Sequence, residues 1–230
     1  MACNPKTEST THQIAFWGAI FFAYTLTVGL SLQLYVIPEV FPQFDRGEGI
    51  VILDSTGFNQ VAKTKAAEIK QMGWQAWELR PQNFSPAGIA SIFYVLWVDK
   101  PYSVLPFNAL IHAASGGVVL WLLRIFFPWR PAIFGSIFFV ANPASLEWVA
   151  QIHRDGVYIL GLLMVLLCLV LFHRGLKTIQ LRSIIGGFLF GMVGTSFVWV
   201  ARPYWVQVLL TTVVIGVLMI SLCHWMTRTK

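Results

Sequence analysis

Long apolar runs alternate with short polar links along most of this chain. Near-continuous apolar stretches cover residues 14–37, 104–127, 132–150, 157–172, 183–201 and 205–223. A helix rises 1.5 Å per residue, so about 20 apolar residues cross a hydrocarbon core of about 30 Å. The pattern therefore predicts an all-α, polytopic transmembrane helix bundle of about six spans. Asn142-Pro143 falls inside the third stretch and predicts a kink or break there. Residues 14–225 read as one transmembrane domain, between a polar tail at 1–13, expected to be disordered, and a basic tail at 226–230.

One sizeable region, 38–101, does not span. After Asp54, the residues Phe58, Val61, Ala62, Lys65, Ala66, Ile69 and Met72 recur at helical spacing with most lysines off the apolar face. That predicts an amphipathic helix lying along the interface, with Asp54 at its N-cap or just before it. Residues 85–98 are apolar but too few for a span, so a short re-entrant or packed helix is expected.

Composition supports the membrane reading. The chain is 57% hydrophobic and only 11% charged, against about 25% charged for a soluble domain. Its net charge of +6 is the kind that flanks membrane spans and does not call for a nucleic-acid partner. Cys3, Cys168 and Cys223 form neither a disulfide framework nor a metal-binding spacing. There is no phosphate-binding P-loop, no GxSxG and no HExxH, so nucleotide hydrolysis and zinc proteolysis lack support.

The basic residues orient the chain. With a cytoplasmic N-terminus, Lys6, Arg124, Arg130, Arg174, Lys177, Arg182, Arg228 and Lys230 lie inside, with Glu8 the one acid there. The expected topology is multi-pass in a cell (inner or plasma) membrane, both termini cytoplasmic, with the 38–101 loop outward. Two arginines depart from it. Arg154 and Arg202 sit in very short outward links, on the side that bears Asp54 and Asp155. Each alone can be read as paired with a carboxylate or snorkelling to headgroups. Together they suggest an anionic ligand, since a planar guanidinium suits phosphate oxygens.

The link Gln151-Ile152-His153-Arg154-Asp155-Gly156 is the most polar point between two spans. Around it the candidate constellation is Asp54, His153, Arg154, Asp155, Arg202 and Tyr204, with Lys100 and Glu147 behind. A carboxylate can act as base or orient an acceptor hydroxyl, and arginines can hold a phosphate and stabilise it as it leaves. Each also has a plainer reading. Asp54 could only cap a helix, His153 and Tyr204 could be interfacial polar groups, and Glu147 could pair with Arg154. Gly187 and Gly191 have GxxxG spacing and, with the neighbouring glycines, predict close helix packing.

The order of features resembles the N-terminal half of the GT-C membrane glycosyltransferases, which include protein O-mannosyltransferases and lipid A aminoarabinose transferases. A first span is followed by Asp54-Ser55-Thr56-Gly57-Phe58-Asn59-Gln60-Val61-Ala62, then Pro106-Phe107-Asn108-Ala109-Leu110, then Asn142-Pro143-Ala144-Ser145 leading to His153-Arg154-Asp155. Arg202-Pro203-Tyr204 resembles an arginine motif in some relatives. The resemblance implies a polyprenyl-phosphate sugar as donor, Asp54 as base or acceptor-orienting group, Asp155 beside it, and arginines on the lipid phosphate. It implies no fixed metal ligand and leaves a divalent metal open. Ser55 stands where the family often has a second acid, and the family usually has more spans. The competing expectation is a non-catalytic partner subunit or handler of lipid-linked oligosaccharide. A transporter fits less well, because the spans hold almost no ionisable residues at mid-membrane.

Overall fold

The computed structural model describes residues 5–228, with side chains over 12–226. Among the described residues the fold is all-α, with no strand. Helix α1, Pro5–Ser31, runs on through π-helical turns over Leu32–Val40. It starts within the segment expected to be disordered; residues 1–4 lie outside the described residues. Next come α2 (Leu53–Met72) and α3 (Ser85–Leu96), then α4 (Leu105–Phe126), α5 (Trp129–Val140) and α6 (Pro143–Val149). The chain closes with α7 (Asp155–Thr178), α8 (Leu181–Ala201) and α9 (Val206–Arg228). Part of the basic tail expected at 226–230 is thus helical, and residues 229–230 lie outside the described ones.

Five helices are long and apolar enough to cross a membrane. Helices α5 and α6 make a sixth span if taken as one element, bent by 56° at the predicted Asn142-Pro143 break. Asn142 there caps α6 by accepting the Ala144 N–H at 3.0 Å. The chain is a multi-pass membrane protein.

Apolar side chains gain little from meeting each other in lipid, so spans associate through close packing. The glycines of α8 do this against α7. A Cβ on Gly194 would come within 2.6 Å of the Gly161 carbonyl, and one on Gly161 within 2.7 Å of the Gly194 carbonyl. Gly187 and Gly191 abut Cys168 in the same way, as their spacing predicted. Gly116 lets α4 approach Phe21 of α1 and Val140 of α5. Helix α9 contributes little, since most of its surface faces away from the bundle.

Helices α2 and α3 pack on each other as a layer over one end of the bundle. Phe58, Ala62 and Ala66 of α2 meet Ala87, Ala90 and Tyr94 of α3, and Val104 and Ile152 complete that core. Full burial of one large apolar side chain in such a core is worth about 1.5–3 kcal/mol. The amphipathic face is thus used against α3. Met72, expected on it, is exposed, while Lys65 is buried and neutralised by Glu68 at 2.6 Å and Glu78 at 3.0 Å. The expected short helix at 85–98 is α3, and it packs rather than spans. Ile152 pins the polar link beneath this layer.

Candidate functional site

The polar link is held by two amides. Gln151 is 1% exposed. Its Oε1 accepts the Val51 N–H at 2.9 Å and its Nε2 donates to the Gly49 carbonyl at 3.0 Å. Asn108 Nδ2 donates to the Val149 carbonyl at 3.0 Å and the Gln151 carbonyl at 2.7 Å, satisfying backbone groups that α6 leaves open. The loop that Gln151 grips is a tight turn. Asp45 Oδ1 accepts the Gly47 and Gly49 amides at 2.8 and 3.1 Å. Gly49 has φ +75° and lies so close to the Gln33 backbone that a Cβ would sit 2.1 Å from its carbonyl oxygen, so only glycine fits. Four residues after Gly49 the chain enters α2, and Asp54 is carried to the link.

Asp54 is not a cap. The N-cap position is Ile52, with extended backbone and no side-chain hydrogen bond, and Asp54 lies in the first turn of α2. Its carboxylate is exposed and, among the described residues, makes no hydrogen bond or ion pair. A negative charge in a first turn is favoured by the helix dipole, so the placement is stable without using up the carboxylate.

His153 sits at the centre. Burial lowers its proton affinity below the ordinary value of 6.5. Asp155 and Asp54 act to raise it, and Arg154 and Arg202 act to lower it. Nδ1 accepts the Asp155 backbone N–H at 3.2 Å, so the neutral ring carries its proton on Nε2. Nδ1 also lies 3.5 Å from Asp155 Oδ2. That contact is an ion pair only with a proton on Nδ1, which burial opposes. The ring of Trp148 stacks against it at 6.1 Å between centroids.

Asp155 is spoken for. Arg202 Nη2 donates to its Oδ1 at 2.5 Å. The guanidinium also lies 5.1 Å from the Tyr158 ring, a cation–π arrangement. Burial works against the Arg202 charge, but the Asp155 carboxylate, with Tyr204 adding to it, raises its proton affinity. Arg202 Nε is buried without a partner. The Arg154 side chain, in contrast, makes no hydrogen bond, ion pair or ring contact among the described residues. It lines a small cavity of about 10 Å³ together with His153, Asn108, Phe107, Ser85 and Pro86. A second small cavity, of about 20 Å³, is also lined by His153 and is bordered by Asn108, His112, Ser115 and Ser145.

Asp54, His153, Arg154, Asp155, Arg202 and Tyr204 therefore gather at one end of the bundle. Two further residues do not join them. Lys100 donates to Glu48 Oε1 at 2.6 Å and belongs to a network with Lys63, Asn59 and Tyr94. Burial would raise the Glu48 carboxyl, but hydrogen bonds from Lys100, Lys63 and Asn59 hold it at about 2. Glu147 does not pair with Arg154. It is exposed on an apolar groove between α1 and α6. Among the described residues no three His, Cys, Asp or Glu side chains group as metal ligands.

Gln151, Asn108 and Ser85 were missed as site residues in the sequence. The signal was present for the first two: amides at the ends of apolar runs must find partners once buried.

The class is thus a polytopic helical membrane protein with an ionised site at one end of its bundle. Comparison of the chain with protein-family models, curated proteins and solved structures gives no match.

Proposed function

We propose that this protein is an integral membrane glycosyltransferase of the GT-C type. It moves a sugar from a polyprenyl-phosphate carrier to an envelope lipid or polysaccharide acceptor. The reaction takes place on the outward face of a cell membrane, both termini being cytoplasmic. The observation that carries this reading is the gathering of Asp54, Arg154, Asp155 and Arg202 around His153 from three separate parts of the chain. Asp54 is the group free to act as base. It takes the proton of the acceptor hydroxyl as that oxygen bonds to the anomeric carbon. The bond from that carbon to the phosphate oxygen breaks, and the phosphate leaves with the electron pair. Cationic side chains stabilise the charge it gains. Asp155 and Arg202 form a rigid wall that fixes His153.

Asp54→Asn tests this. In reconstituted membranes supplied with polyprenyl-phosphate sugars, it should lower transfer by about 10²–10⁴-fold, the usual worth of a general base, with unchanged thermal unfolding. Full transfer by the variant would end the reading. One observation favours a second reading, a non-catalytic subunit that holds a lipid-linked sugar for a partner: Asp155 is already neutralised by Arg202. That reading expects lipid-phosphate binding by the wild-type chain with no transfer under any donor.

A further inference from the structure

Glu147 is an acid that the ionised site does not use. It stands next to Trp148 on α6, and the two serve different sides of that helix. Trp148 stacks on His153, while Glu147 lines the groove between α1 and α6. The Glu147 side chain is exposed and, among the described residues, makes no hydrogen bond or ion pair.

The groove has the size of a ligand site, where the cavities beside His153 do not. Its volume is about 430 Å³, against about 20 and 10 Å³ for those two. Sites for small ligands run from about 300 to 1,000 Å³. Val28, Leu32 and Val36 line one wall, and Leu146 lines the other from α6. At 1.5 Å per residue that wall is about 12 Å long. Toward the polar link the lining changes character. Phe41 and Phe44, just past the π-helical turns, share it with Glu147. Both rings are exposed, with centroids 6.4 Å apart and planes tilted by 46°.

Each part makes a physical demand. A carboxylate on an apolar lining loses hydration unless a cation answers it. An aromatic face attracts a cation lying within about 6 Å of its centre, most strongly one that has left water. The apolar wall beside them suits an aliphatic chain. An apolar groove along the spans, ending in an acid and two rings, repeats the order of parts in a lipid: chain first, charged headgroup at the end. A lysine from another protein brings the same charge on a four-carbon stem, too short to cover the wall. Arg46 reaches the same edge, since its Nε donates to the carbonyl of Val51, another lining residue, at 2.9 Å. Arg46 makes no ion pair with Glu147. A headgroup bearing one positive and one negative charge answers both side chains, whereas a purely cationic one answers only Glu147.

We infer that this groove binds an aminophospholipid. One acyl chain lies along Val28, Leu32 and Val36, and the headgroup ammonium lies between Glu147 and the Phe41–Phe44 pair. The site goes beyond the transferase reading and does not rest on it.

The test is native mass spectrometry of the full chain, released from detergent after titration with one probe at a time. The probes are phosphatidylethanolamine, phosphatidylglycerol with the same acyl chains, and phosphoethanolamine without chains. The wild-type chain should prefer phosphatidylethanolamine over phosphatidylglycerol by about fivefold or more, and should bind phosphoethanolamine far more weakly than either. Glu147→Gln should abolish the preference by weakening phosphatidylethanolamine alone, and Glu147→Lys should reverse it. The double variant Phe41→Leu/Phe44→Leu should lower the preference about two- to threefold. Val36→Trp fills the groove and should weaken both lipids. Each variant is checked for unchanged thermal unfolding. Should Val36→Trp misfold, the two Glu147 variants decide the matter, since that exposed side chain has no partner to lose. Equal binding of the two lipids by the wild type, a preference that survives Glu147→Gln, or phosphoethanolamine binding as tight as the lipid overturns the site. So does a lipid-free dimer that Val36→Trp dissociates, which would make the occupant a second copy of this chain.

Discussion

Two links at the same end of the bundle each carry one arginine, and they use it in opposite ways. Arg202 follows α8 directly and is consumed by the fold: its guanidinium meets Asp155 at 2.5 Å and lies over Tyr158. Arg154 precedes α7 by one residue and meets nothing charged among the described residues. Both are arginines in short links at one end of the bundle, so residue type and position along the chain do not separate them. What separates them is geometry. Asp155 starts α7, and its side chain is presented to the neighbouring end of α8, so it is taken by the arginine from the other link rather than by its own neighbour in sequence. A committed cation holds a wall in place, and an uncommitted one is available to a ligand.

That contrast can be broken first by stability. Arg202→Ala leaves a largely buried carboxylate without its partner, and it should cost about 2–3 kcal/mol, somewhat below a fully buried pair because both groups keep some exposure. Arg154→Ala should stay within about 0.5 kcal/mol. Equal losses in a denaturation series would erase the distinction. The double variant Arg202→Ala/Asp155→Ala should recover part of the loss.

Gln151→Ala comes next, at about 2 kcal/mol. It removes two hydrogen bonds and strands the Val51 N–H and the Gly49 carbonyl. A spin-label pair on α2 and α7 should broaden in distance, because the turn that delivers Asp54 loses its hold on the link. A narrow, unshifted distribution would mean the turn is held by something else.

Glu48→Gln should have a smaller effect, about 0.5–1 kcal/mol, since its partners Lys63 and Lys100 are partly exposed. The folded carboxyl at about 2 lies below its ordinary 4.5, so its contribution is present above 4.5 and is lost as pH falls toward 2. In the variant the acid limb of the stability curve should flatten over that window.

The smallest and most specific effect belongs to His153. Burial lowers its proton affinity from 6.5 in the folded state, so the unfolded chain binds the extra proton first. Stability should be full above that value and decline as pH drops through it. His153→Gln should remove this decline, read as unfolding temperature against pH. A decline that persists in the variant would place the titrating group elsewhere.

The spans were legible in the sequence because the membrane imposes a length and a composition on every one of them. So was the break at Asn142-Pro143, because proline cannot donate within a helix, and so was close packing at the α8 glycines, because only small residues let backbones touch in lipid, although α7 as their partner was not. The face of α2 was legible too, although Lys65 on it was not expected to be buried. Sequence reasoning was weakest over single polar side chains. Asp54 has the residue type of a cap and is not one, Glu147 has the spacing of a partner for Arg154 and does not meet it, and Lys100 belongs to Glu48. The Lys100–Glu48 pairing joins segments 52 residues apart, and where each of these side chains ends up depends on distances of a few ångströms that no local pattern encodes.

The amino-acid order alone determined that this chain crosses a membrane repeatedly and that its out-of-place charges lie toward one side. Hydrophobic length and charge bias act segment by segment and need no knowledge of neighbours. Which charges neutralise each other and which remain for a ligand was decided only when the segments packed. An ion pair requires two side chains to arrive at one point, and that point exists only in the folded bundle.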